Sequence, residues 1–171
     1  TTHIATAPNQ VWSWDITWLP AIIKGHYYKL YLIIDIFSRL IVAWEIHELE
    51  SAEHASNLVK KAAYKHGVVG NPLVLHSDNG SPMKGQTLQV LLERLGITKS
   101  YSRPRVSNDN AFAESFFKTL KYTKDFPVEG FASIVEARKW VHKFVELYNK
   151  EFLHSGIKFV TPYQRHTGED V

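Results

Sequence analysis

The sequence contains no cysteine, and its one methionine is Met83. Without thiols the chain can form neither disulfides nor thiolate zinc sites, which is compatible with a reducing cytoplasm. Its nine histidines show no paired ligand spacing such as HxxxH, which argues against a structural zinc. No apolar run reaches the roughly 18 residues of a membrane span, and no secretory signal pattern is present. Internal repeats and low-complexity segments are also missing. So is a strong excess of one charge: the net value is +3, too small to argue nucleic-acid binding from the total.

What is present fits a single soluble α/β domain. The 171 residues are 44% hydrophobic and 22% charged, and a chain of this size hides about 70% of its unfolded surface. The first residue is Thr1 rather than methionine, so the sequence reads as an excised domain. Residues 1–10 read as an extended lead-in, 11–152 as the core, and 153–171 as a C-terminal extension packed on it.

Charge is distributed unevenly. Between Lys99 and Lys124 lie six basic residues (Lys99, Arg103, Arg105, Lys118, Lys121 and Lys124) against two acids, Asp109 and Glu114. Such a local basic field suits a polyanionic substrate. Arg103 and Arg105 belong to the polar stretch SRPRVSN, expected to be a mobile loop, and read either as surface charges or as phosphate contacts.

The most informative stretch is Ser107–Lys121, SNDNAFAESFFKTLK. Ser107, Asn108, Asp109 and Asn110 are cap-prone, so a helix is expected to open after them. At about 100° per residue, Phe112, Phe116 and Leu120 share an apolar stripe, while Glu114, Lys118 and Lys121 gather on the opposite side. By itself that polar face could be a solvated one with a Glu-to-Lys pair. Upstream, VWSWDITWL alternates, with Trp12, Trp14, Ile16 and Trp18 on one face and Ser13, Asp15 and Thr17 on the other. The run LVLHSDNGSPM delivers Asp78 just beyond a short buried strand, and 35 residues separate Asp78 from Glu114. Two carboxylates from strands and one from a helix are what a divalent-metal phosphoryl-transfer site needs.

The remaining elements follow from periodicity. His26–Phe37 and Leu40–His47 read as strands completing a meander, Ser51 opens a helix stopped near Gly67, and Leu73–His76 is a buried strand. Lys84–Leu95 is a helix closed by Gly96, Ile97–Ser100 a strand, and Phe131–Tyr148 a long helix burying Ile134, Ala137, Trp140, Val141, Phe144 and Leu147. Asp35 is a rival carboxylate that reads as a turn residue bonding the Ser38–Arg39 region. His76 reads as strand-end packing, with a ligand role the alternative.

Taken in order, WDITWLP, YLIIDIFSRLIVAW, LHSDNGS, NDNAFAESFFKTLK and YNKEFLHSGIKFVTP resemble the catalytic core of DDE transposases and retroviral integrases, nearest to the second-frame transposases of bacterial insertion sequences. The resemblance runs over nearly the whole chain. It implies a ribonuclease-H-like fold, with a five-stranded mixed sheet of three antiparallel strands then parallel strands, flanked by helices. It implies that Asp15, Asp78 and Glu114 are catalytic acids holding two Mg²⁺ ions, for which Mn²⁺ can substitute. Lys118 and Lys121 match positions that integrases set against the DNA end. Pro82-Met83 departs from the common pattern after Ser81.

The implied function is DNA strand cleavage and strand transfer on transposon ends and target DNA. A homo-oligomer is expected in the active complex, with an upstream DNA-binding region outside this chain and no membrane association. Action in the bacterial cytoplasm, on the nucleoid, is expected. A ribonuclease-H-like or junction nuclease, or a decayed DNA-binding module, is the alternative.

Overall fold

The computed structural model describes residues 5–77, 86–101, 111–152, 157 and 159–170. Five strands form one sheet: β1 (Val11–Pro20), β2 (Tyr27–Asp35), β3 (Ile41–His47), β4 (Leu73–Ser77) and β5 (Ile97–Tyr101), in the order β3-β2-β1-β4-β5. β1, β2 and β3 form an antiparallel meander, whereas β4 and β5 run parallel to β1. The helices are α1 (Ala52–Lys65), α2 (Gln86–Leu95), α3 (Ala111–Lys121), α4 (Ile134–Glu151) and α5 (Pro162–Thr167). This is the mixed sheet expected from the sequence.

β1 is central, and the alternation of its side chains divides the protein into two cores. Trp12 and Trp14 point to one face, where Tyr31, Ile33, Leu73 and Leu75 meet the apolar sides of α1 and α2. Leu19 points to the other, where Leu30, Leu32 and Ile34 of β2 meet Phe116, Phe117 and Leu120 of α3 and Ala137, Val141 and Val145 of α4. The two cores explain why β2 is a nearly unbroken apolar run: both of its faces are covered.

Local signals set the boundaries. Ser51 caps α1 by accepting from the His54 amide at 3.1 Å, and Ser133 caps α4 by accepting from Glu136 at the same distance. α4 therefore starts at Ile134 rather than Phe131, because Phe131 is held in the preceding segment. Its amide donates to the Pro20 carbonyl at 2.8 Å and its carbonyl accepts from Ile22 at 3.1 Å, stitching the α3–α4 connection to the end of β1.

Two stripe assignments change. On α3 the buried positions are Ala113, Phe116, Phe117 and Leu120, while Phe112 is half-buried with the Arg39 guanidinium 3.7 Å above its ring. On α4 the buried residues are Ala137, Val141, Val145 and Tyr148, and Leu147 stands 46% exposed. Tyr148 wins that face because its ring packs edge-on against Phe116 at 4.8 Å. α5 was not anticipated. Thr161 and Gln164 form a reciprocal capping box with Pro162 opening the helix and Gly168 closing it in the left-handed conformation.

Phe116 is the main apolar anchor of α3: it is 1% exposed and meets the rings of Phe117, Phe144 and Tyr148. Phe116→Ala is expected to cost about 3–5 kcal/mol of stability, measurable by urea denaturation. A loss below about 1 kcal/mol would show that α3 is held otherwise.

Candidate active site

The polar side of β1 is covered by protein rather than facing open water. Ser13, Asp15, Thr17 and Leu19 alternate with the tryptophans and so point toward the α3 side of the sheet, and Asp15 pairs in register with Leu32, a member of that core. Ser13 is fully buried and Asp15 half-buried. One carboxylate oxygen of Asp15, Oδ1, accepts from the Ile16 amide at 2.8 Å.

β4 runs parallel beside β1, and the last pair of their ladder is Trp14 with Ser77. Asp15 is one residue past that pair on β1. Asp78, the next residue after Ser77, lies outside the described residues, as do Arg103 and Arg105. His76 pairs with Ser13, and its Nδ1 is 3.1 Å from Ser100 Oγ on β5, so the histidine bridges the two parallel strands.

Two contacts fix the direction of α3. Near its start, Phe112 lies under Arg39, whose amide donates to the carbonyl of Asp35, the β1 partner of which is Trp12. At its end, Lys121 Nζ donates to Thr17 Oγ1 at 2.7 Å. The helix thus runs parallel to β1, from the level of Trp12 to that of Thr17. Glu114 stands about 10 Å before Lys121 along the helix, and Asp15 about 7 Å before Thr17 along the strand. Both displacements point the same way. Asp15, Glu114 and Lys121 consequently belong to one side of the sheet, next to the end of β4.

Their environments differ. Glu114 and Lys118 are exposed on α3, whereas Lys121 is half-buried. Burial lowers the Lys121 pKa below the ordinary lysine value. Among the described residues no carboxylate forms an ion pair with it. Nor do the described residues contain a group of three or more His, Asp or Glu side chains arranged to hold a metal. The donors that Asp15 and Glu114 offer are carboxylate oxygens, the hard ligands that suit Mg²⁺.

Asp35 resolves differently from Asp15. It is fully buried, and its carboxylate accepts from Asn9 N at 2.7 Å, Ser38 N at 2.8 Å and Ser38 Oγ at 3.1 Å. Ser38 Oγ also meets His166 Nδ1 at 2.8 Å, tying α5 to the β2–β3 turn. Burial lowers the His166 pKa, against the pull of Asp35. This network was not foreseen beyond its Asp35–Ser38 part; the Thr-Pro-x-Gln sequence at Thr161 was the available signal for α5. Asp35→Ala is expected to cost about 3 kcal/mol, because two backbone amides lose a buried acceptor. Equal stability of the variant and the wild type in chemical denaturation would refute the structural role.

Residues 5–107 match a family model described as integrase core domain, and residues 95–162 match a second model of the same description. The chain is 36% identical over 160 residues to the transposase for insertion sequence element IS904 of Lactococcus lactis subsp. lactis, covering 92% of this chain and 61% of that protein. It is 33% identical over 162 residues to the putative transposase InsK for insertion sequence element IS150 of Escherichia coli K12, covering 94% of this chain and 55% of that protein. The chain therefore spans little more than half the length of these relatives. Among solved structures, the fold is similar to a chain of the simian T-cell lymphotropic virus intasome in complex with the PP2A regulatory subunit B56 gamma. There the TM-score is 0.76 at 22% identity, with 97% of this chain and 57% of that chain covered. It is similar also to the HTLV-2 integrase catalytic core domain in complex with magnesium, with a TM-score of 0.69 at 21% identity over 95% of this chain and 99% of that one. At those identities the likeness concerns the fold, which is ribonuclease-H-like as the resemblance implied.

Proposed function

The chain belongs to the integrase core domain family, and on that premise we propose that it is the catalytic core of a DDE-type polynucleotidyl transferase that cleaves DNA strands and joins them to a target. The observation that carries this reading is the parallel lie of α3 along β1. It brings Glu114 to the same side of the sheet as Asp15, one residue past the last β1–β4 pair, while Asp78 follows the last residue of β4. Relatives described as insertion-sequence transposases support DNA as the substrate.

In this reading Asp15, Asp78 and Glu114 together hold two Mg²⁺ ions, with Mn²⁺ able to replace them. The bound cations supply Lewis acidity, lowering the pKa of the attacking oxygen and offsetting charge on the departing 3′ oxygen. The protein's own part is placement. β1 presents Asp15, the chain leaves β4 immediately before Asp78, and α3 supplies Glu114 from a helix anchored by Phe116. Lys118 and Lys121 contact the phosphate backbone along the same helix face, and Arg103 and Arg105 add further phosphate contacts. Water as nucleophile cuts an element's end; the freed 3′-hydroxyl as nucleophile joins that end to target DNA. Neither step needs a covalent bond between protein and DNA.

The relatives extend well beyond the matched region, so we assign recognition of transposon ends to a DNA-binding region outside this chain. Pairing of two ends calls for a homo-oligomer in the active complex. The bacterial relatives support action in the cytoplasm, on the nucleoid.

Asp15→Asn, Asp78→Asn and Glu114→Gln should each lower Mg²⁺-dependent cleavage and joining of a DNA duplex by about a thousandfold or more, with melting temperatures near that of the wild type. Substantial activity in any one of them removes that acid from the site. Products of hydrolysis alone, with RNA–DNA hybrids or branched DNA preferred, would point instead to a nuclease of the same fold. Lys118→Ala should lower the slope of log affinity against log salt by about one; an unchanged slope would make Lys118 a solvated surface charge.

A further inference from the structure

We propose that Thr17 is a positioning residue: its hydroxyl holds the Lys121 ammonium against β1 so that this cation meets a DNA phosphate beside the carboxylates. The inference rests on the proposed function and adds to it a residue that makes no contact with metal or substrate.

Thr17 lies two residues beyond Asp15 on the same face of β1, and its Oγ1 accepts from Lys121 Nζ at 2.7 Å. A lysine side chain on a helix end ordinarily extends into water, because ordering its four-carbon stem costs entropy. Here the side chain instead reaches back to the sheet, and the residue is half-buried. No carboxylate among the described residues forms an ion pair with it. A hydroxyl can fix the position of an ammonium but cannot neutralise it. An ammonium so placed, with donors beyond the one given to Thr17, is suited to an anion brought by a ligand. The ligand chemistry is that of a phosphodiester, the anion of the substrate proposed above, and the α3 face carries Lys118 as a second cation for the same polyanion. Thr17 therefore limits where on the duplex the cation can reach: two residues along β1 from Asp15 rather than out in solvent.

The test is duplex binding, measured by fluorescence anisotropy of a labelled DNA over a range of salt concentrations, for Thr17→Val, Thr17→Ser, Lys121→Ala and the Thr17→Val/Lys121→Ala double variant. Valine keeps the shape and strand preference of threonine and removes the hydroxyl. Thr17→Val is expected to weaken binding about tenfold and to lower the salt slope by about one. Thr17→Ser should restore both values, and Thr17→Val should add nothing in the Lys121→Ala background. Wild-type affinity in Thr17→Val, or a full loss persisting in the double variant, overturns the proposal. Should Thr17→Val fold poorly, the wild type decides alone: the Lys121 ammonium is expected to give an exchange-protected ¹⁵N signal that shifts on adding duplex, and an unshifted signal overturns the role. A wild type that neither binds nor cuts duplex DNA refutes the proposed function and this inference with it, whereas metal-dependent cutting with Thr17→Val indistinguishable from wild type refutes the inference alone.

Discussion

The structure depends on one constraint: β1 is hydrogen-bonded on both edges and covered on both faces. Its antiparallel partner β2 pairs from Trp12 to Pro20 and its parallel partner β4 from Val11 to Trp14, and separate cores lie above and below. Side chains on such a strand have no choice of exit, because a one-residue slip would exchange the buried tryptophans for Ser13, Asp15 and Thr17. Trp12 and Trp14 are fully buried, and Trp14 stacks on Tyr31 at 6.4 Å, so slipping would take both indoles out of the core that fits them. The tryptophans thereby hold Asp15 on the opposite face. A carboxylate that would gain hydration by turning outward is kept where the packing of its neighbours puts it.

The same constraint explains what the sequence disclosed and what it hid. Strands and helices with strong periodicity were legible, since alternation in VWSWDITWL and the 3.6-residue stripe of α3 each report burial directly. The polar side of β1 was harder: a serine, an aspartate and a threonine at alternate positions look like a solvent face. They face protein instead, because α3 comes from the far end of the chain to cover them, and a contact across 104 residues leaves no local trace. α4 shows a related limit. Its apolar residues Val141, Phe144, Val145, Leu147 and Tyr148 overfill one stripe, and the partner surface on α3 decides which of them are covered. The carboxylate of Glu114 was assigned through motif order and its basic neighbours, not through any feature of α3 that distinguishes a catalytic acid from a solvated one.

Asp15 and Asp35 lie on adjacent strands of the same sheet, and their surroundings separate them chemically. A buried carboxylate is tolerated when protein donors replace its lost water. Asp35 has two amides and a hydroxyl on it, which hold the tight turn that passes through Arg39 in the left-handed region at φ 67°. That set of donors makes Asp35 a device for shape. Asp15 sits half-open, on the face where α3 presents Glu114. Counting carboxylates near the middle of the sheet would not have told them apart; the full burial of Asp35 and the partial exposure of Asp15 do.

The position of positive charge completes the distinction. A net charge of +3 says little about a polyanionic partner, but electrostatic recognition depends on where cations stand relative to low-dielectric surface and to the acids. On α3 the order Glu114, Lys118, Lys121 places one carboxylate near the positive end of the helix dipole and two ammonium groups toward its negative end, which favours each charge in place. The helix is thus stable with its charges arranged this way, and no DNA is needed to organise them. What DNA would add is an anion for Lys121, the one of the two lysines that burial has already deprived of part of its water. A cation held in that condition binds phosphate with less solvent to displace than an exposed lysine has, and the strand that fixes it is the one that carries Asp15. In the proposed function, the phosphate of the substrate and the Asp15 carboxylate are thereby registered against the same length of backbone.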